Sequence, residues 1–107
     1  MKRKQIIPML IAVILTSGLG KIEYQGHVET WYNLNLSKVV QRAQNMGIPC
    51  EYWVRDDGVK MFGPWVIVAG HPSKVRYTRV QTSLGEGIIL DTHELDDTEL
   101  IDIATEW

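Results

Sequence analysis

Two aspartates carry the clearest chemistry in this chain. Asp91 directly follows the apolar run Ile88-Ile89-Leu90, and Asp102 interrupts another, between Ile101 and Ile103. An ordinary aspartate, with a pKa of about 3.9, is ionised at neutral pH and cannot donate a proton. A neighbouring carboxylate or a partly apolar pocket raises one of a pair, and the two groups then take different roles. Asp91 at a strand end and Asp102 on the face away from Ile101 and Ile103 can meet across adjacent strands. The structural alternative is that Asp91 caps a turn and Asp102 binds backbone amides.

The other reactive types are weaker signals. His71 lies between Gly70 and Pro72, and imidazole works as acid or base near neutral pH. A solvated loop residue is the plainer reading of it. His93 is close enough to Asp91 to pair with it. His27, His71 and His93 lack short ligand spacing, and a single cysteine, Cys50, excludes both a Cys-cluster zinc site and an internal disulfide. Glu94, Asp96, Asp97 and Glu99 contain no calcium-loop pattern and read as a solvated acidic loop. Neither metal nor cofactor is expected. Trp31, Trp53, Trp65 and Trp107 offer flat rings for stacking on sugar faces, with at least two of them expected in the core.

Charge excludes one class of partner. The net charge is −2, but Lys2, Arg3 and Lys4 supply three of the eleven positive residues. From Lys21 onward eight basic residues face thirteen acids, and Glu86–Trp107 contains no Lys or Arg. Phosphate tracking requires basic side chains, so nucleic acid is not an expected partner.

Those three basic residues open a short address. They precede the apolar stretch Ile6–Leu15 and the small residues Ser17, Gly18 and Gly20, the parts of a secretory signal peptide or signal-anchor over residues 1–20. The apolar stretch is too short to span a bilayer comfortably, so no stable membrane span is expected after removal. The protein is expected to be secreted or extracytoplasmic.

Residues 21–107 are long enough for one domain. Tyr24–Tyr32 reads as a strand, and Leu36, Val39, Val40 and Ala43 recur at helical spacing, with Gly47 placed as a C-cap. Asp56-Asp57-Gly58 predicts a hairpin between Glu51–Arg55 and Val59–Phe62. Trp65–Ala69 reads as a doubly buried strand, Val75–Thr82 alternates, and Ile88–Leu90 and Leu100–Ala104 are further apolar segments. Helix remains an alternative from Asp96 onward. The sum is a mainly β chain with one helix, expected as a small six-stranded barrel.

Trp65-Val66-Ile67-Val68-Ala69, then Thr82 through Asp91-Thr92, then Ile101-Asp102-Ile103-Ala104 resembles the three-aspartate (3D) domain family. The opening His27-Val28-Glu29-Thr30-Trp31-Tyr32 looks like its first strand, and the likeness runs from about Gly26 to the C-terminus. The resemblance implies a double-psi β-barrel, as in A-type membrane-bound lytic transglycosylases and short secreted Gram-positive or phage proteins. It also implies peptidoglycan or another cell-wall glycan as partner. The implied reaction is glycan-strand cleavage: an aspartate protonates the leaving oxygen and the sugar's own 6-hydroxyl attacks, giving an anhydro product. Asp91 is the expected acid and Asp102 the group that tunes it, with Thr92, His93, His71 and Trp31 as expected substrate contacts. The chain departs from the pattern in three places. Gly70-His71 stands where the first aspartate belongs, Asp91-Thr92-His93 lacks the usual glycine, and Arg76-Tyr77-Thr78-Arg79 replaces a Pro-x-Gly-Ser turn. The alternative is a non-catalytic barrel that binds cell-wall glycan or serves as a phage or assembly module.

Overall fold

The structure is a computed structural model describing residues 20–107. The leader expected over residues 1–20 falls, Gly20 apart, outside the described residues. Among the described residues no helix is long and apolar enough to cross a membrane.

The chain runs β1 (Ile22–Tyr24), β2 (His27–Tyr32), α1 (Ser37–Asn45), β3 (Tyr52–Val54), β4 (Lys60–Phe62), β5 (Trp65–Gly70), β6 (Arg79–Thr82), β7 (Gly85–Thr92) and β8 (Ile101–Ala104). All eight strands share one sheet in the order β1-β2-β8-β5-β4-β3, with β7 also on β5 and β6 on β7. The pairs β2·β8 and β5·β7 are parallel and the others antiparallel. Among the described residues the count is eight rather than six: the segments expected as strands each form one, and Ile22–Tyr24 adds another where Gln25 and Gly26 turn the chain with φ of +48° and +89°. No backbone ladder joins β6 to β1 or β2 among the described residues, so hydrogen bonding leaves the sheet open there.

Strand alternation builds two cores. Val66 and Val68 face a cluster with Ile22, Leu84, Ile89, Ile101 and Ile103. Ile67 points the other way, among Leu36, Val40, Ala43, Phe62, Ile88 and Leu90, so α1 packs on that face of the sheet. Residues 66–70 of β5 are all buried, the outcome that its unbroken apolar run predicts. Gly47 lies just beyond α1 with a φ of +101°, the conformation a C-cap glycine supplies.

The hairpin turn forms at Gly58, whose φ is +86° and whose N–H donates to the Arg55 carbonyl at 2.9 Å. Asp57 inside this turn is buried. Burial pushes its carboxyl up, but the two-pronged bond from Arg55 Nε and Nη2, at 3.0 and 2.8 Å, outweighs it and holds the pKa below the ordinary carboxylate value. Arg55 Nη1 also donates to the Leu84 carbonyl, tying the β3–β4 turn to the β6–β7 turn. Two expectations change in detail. Only Arg79–Thr82 of the alternating run is strand, because Tyr77 turns the chain with a φ of +73°. Ile101–Ala104 is strand, which resolves the helix alternative.

Glu29 on β2 is fully buried, although alternation alone marks it as the polar side of its strand. Its carboxylate accepts from Ser83 N–H at 2.9 Å, from Ser83 O–H at 2.6 Å and from His27 Nε2 at 2.9 Å. Side-chain bonds thus link β2 to the β6–β7 turn where no backbone ladder does. Removing a buried carboxylate that satisfies this many donors strands all of them. Glu29→Ala is therefore expected to cost about 3 kcal/mol in urea unfolding, and Ser83→Ala about 1 kcal/mol. Equal costs would remove the central place assigned to the carboxylate.

Candidate functional site

The site is built on the register of β5. Ala69 pairs with Asp91 of β7 on one side and with Asp102 of β8 on the other, and Asp102 pairs with Thr30 of β2. Residues in register on neighbouring strands project from the same face. Asp91, Ala69, Asp102 and Thr30 therefore form one row across four strands, with the aspartate backbones about 9.5 Å apart, two strand spacings. The smallest chiral side chain lies between them, which leaves the space over Ala69 to the carboxyls.

A bulge makes this alignment. Val68 pairs with Ile89 but Ala69 pairs with Asp91, so Leu90 is the extra residue and Asp91 moves into the row. Arg76 Nη1 donates to the Leu90 carbonyl at 2.7 Å, at the residue that has no ladder partner in β5. Regular pairing would have put Leu90 beside Ala69.

Each carboxyl is held by a hydroxyl. Thr30 O–H donates to Asp102 Oδ1 at 2.7 Å, and Tyr32 O–H donates to Asp91 Oδ2 at 3.3 Å. Asp91 Oδ1 accepts from the Thr92 N–H at 2.9 Å. Burial pushes the Asp102 carboxyl above the ordinary carboxylate value, and the charge of Asp91 adds to the rise, while the Thr30 bond and His93 pull the other way. His93 Nε2 meets the Leu100 carbonyl at 2.8 Å, and its Nδ1 accepts from the Leu95 N–H at 3.2 Å. A carbonyl only accepts, so Nε2 donates to it. The Tyr32 phenol is pushed far above its ordinary pKa by burial, by the fields of Asp91 and Asp102, and by its bond to Asp91. It remains a neutral donor.

The structure brings Asp91 and Asp102 to one face, though on strands separated by β5 rather than adjacent, and places the other expected contacts around them unevenly. Thr92 is exposed beside Asp91. His93 is buried and fastens the acidic loop back onto the strand ends. His71 lies edge-on to His93 at a ring separation of 5.9 Å, and its Nδ1 meets Ser73 Oγ at 2.8 Å. Trp31 pairs with Ile103, so it projects from the opposite face, packs on the Ile103 core and lies 5.6 Å from the Trp107 ring. Thr30 and Tyr32, whose hydroxyls bond the two aspartates, are the positions of this candidate site that residue-type reasoning misses. Period-two spacing through β2 was the available signal, since both share the face that reaches the aspartates. No group of three or more His, Cys, Asp or Glu suited to a metal ion forms among the described residues.

Because the folded pKa of Asp102 is raised, its ionisation opposes folding. The cost is absent below the unfolded pKa of about 3.9, grows as pH rises through the interval to the folded value, and persists above it. Asp102→Asn keeps an acceptor for Thr30 and removes the charge. The variant is expected to melt higher than the parent at pH 7 and equally at about pH 3.5, by circular dichroism. A lower melting temperature at pH 7 would contradict this reading. Comparison of the chain with protein-family models, with curated proteins and with solved structures finds no match.

Proposed function

We propose that this chain is an exported protein of the cell wall that cuts peptidoglycan glycan strands through the pair Asp91 and Asp102. The observation that carries the reading is the row Asp91–Ala69–Asp102–Thr30, in which two carboxyls share a face and one is driven toward its protonated form. A glycosidic bond breaks when a positioned carboxylic acid protonates the leaving oxygen and the anomeric centre is captured by a nucleophile. Asp102 takes the acid's role in place of Asp91, since burial favours its neutral form. It donates its proton to the leaving oxygen as the sugar's 6-hydroxyl attacks the anomeric carbon. The resulting carboxylate then accepts the hydroxyl proton, which restores the acid. Asp91 supplies negative charge beside the developing oxocarbenium ion, and Tyr32 and Thr30 fix the two carboxyls.

The scaffold in this reading is a double-psi β-barrel. Its support is the pair of parallel ladders within an otherwise antiparallel sheet, and the one of the two cores that collects both Ile22 from β1 and Leu84 from the β6–β7 turn. Strands at opposite edges of the open ladder thus cover the same apolar cluster. Glu29 bridges them.

A second reading, a non-catalytic barrel that binds wall glycan or joins a phage or other assembly, is favoured by one observation. A groove of about 710 Å³, lined in part by Asn33, Ser37, Tyr52 and Lys60, contains neither aspartate. Digestion of purified peptidoglycan, with mass spectrometry of the released fragments, separates the two. The enzyme reading expects anhydro-muropeptides, a loss of at least about 100-fold in Asp102→Asn, and activity that falls as pH rises through the raised Asp102 pKa. Co-sedimentation with insoluble peptidoglycan and no release would leave the binding module.

A further inference from the structure

We propose that the groove between α1 and β4 binds a carboxylate carried on a sugar, with Lys60 as the counter-charge. This deepens the glycan reading above and rests on it for the source of the sugar. Lys60 is 6% exposed, and its side chain lines the groove of about 710 Å³. Its ammonium donates to Asn33 Oδ1 at 2.7 Å and to the Leu34 carbonyl at 2.8 Å. Both acceptors are neutral, and no carboxylate lies within ion-pair distance among the described residues. Glu106, whose field reaches Tyr52, is exposed and forms no ion pair with Lys60. A buried cation without a counter-ion is costly, so proteins nearly always pair it. An ammonium has three protons, and two are used here. A carboxylate oxygen in the groove would take the third and neutralise the charge.

The rest of the lining fits a sugar. Helix α1 starts at the groove, has no acid in its first turn and no side-chain cap on Leu36. The Ser37 N–H goes to Asn35 Oδ1 at 2.8 Å, while the Lys38 and Val39 amides have no acceptor among the described residues. These amides and the positive end of the helix add to the pull of Lys60 on an anion. Ser37 O–H and the Asn35 side-chain NH2 have no hydrogen-bond partner among the described residues and suit sugar hydroxyls. The half-exposed Tyr52 ring offers a flat apolar face at the rim. The volume lies within the range of sites that enclose a small organic ligand.

Matched probes test the charge requirement on the folded chain. Calorimetric and amide-shift titrations would compare N-acetylmuramic acid with N-acetylglucosamine, and glucuronic acid with glucose. The acid of at least one pair is expected to bind ten-fold or more tightly than its neutral twin, with shifts at Ser37, Lys38 and Val39. Muramic acid alone places the ligand in wall glycan whose lactyl carboxyl is free of stem peptide; glucuronic acid as well widens the class to acidic sugars. Lys60→Met should weaken acid binding at least ten-fold. Ser37→Asp, an exposed change at a helix start where an acid is tolerated, should do so with the fold intact. Equal binding of acid and neutral twins, binding of neither, or full acid binding in Ser37→Asp would overturn the proposal. Peptidoglycan cleavage that persists in a chain whose groove binds neither acid removes this inference and leaves the aspartate reading standing. Acid binding in a chain that neither cuts nor sediments with peptidoglycan supports the groove and removes the wall reading.

Discussion

The register of the central strand is the constraint on which the rest depends. Strand β5 is hydrogen-bonded to β4, β7 and β8, and its one irregularity, at Val68/Ala69, decides which residue of β7 faces Ala69. A slip of one residue in a strand exchanges its two faces. Regular pairing would set Leu90 in the row and Asp91 beyond it, and the two carboxyls would no longer share a surface through a common neighbour. The bulge costs a ladder position at Leu90, and Arg76 offsets that by donating to the Leu90 carbonyl. Ala69 matters for a related reason: a larger side chain there would fill the space between the aspartates.

Around this strand the fold handles buried polar groups in different ways, and the contrast separates support from site. Glu29 has all its donors in place and links two parts of the sheet that no ladder joins. Asp57 has Arg55 in a two-pronged pair, and the same guanidinium reaches a second turn. These groups are satisfied, and their effect is to fix loops. Asp102 has one neutral hydroxyl and a neighbouring acid, so burial wins and its charged form is disfavoured. Lys60 has two neutral oxygens and, among the described residues, no acid within ion-pair distance. The incompletely compensated groups are the ones that chemistry or a ligand can use.

The two places differ in shape as well as in charge. The aspartate row lies across the sheet near the ends of β5, β7 and β8, where Thr92 and the acidic loop leave it partly open to solvent. The Lys60 groove lies where α1 begins, over β4. A glycan strand is long enough to visit more than one such surface, and binding remote from the reacting bond helps to position it. Under the cell-wall reading, recognition and chemistry are thus carried by different elements of one small sheet.

Much of the fold was legible because it is local. The apolar run Trp65–Ala69, the glycine at the Asp57-Gly58 turn and the three- and four-residue spacing of Leu36, Val40 and Ala43 each dictate one element through backbone geometry and burial. Asp91 and Asp102 were also legible as candidates, since a charge beside or inside an apolar run has to be accommodated somehow. Their juxtaposition was not, because a bulge and a parallel pairing depend on partners far away in the chain. The burial of Glu29 and Lys60 escaped the sequence for the same reason. Alternation assigns a residue to a face, but only the packed structure decides whether that face meets water, another turn or a groove. Sequence alone therefore determined the β-rich class, the helix over Ser37–Asn45 and the acidic chemistry at hand. Tertiary structure decided which carboxyl is desolvated, which hydroxyls hold the pair and where a lysine lies buried against neutral oxygens, since each follows from contacts between segments that no local pattern encodes.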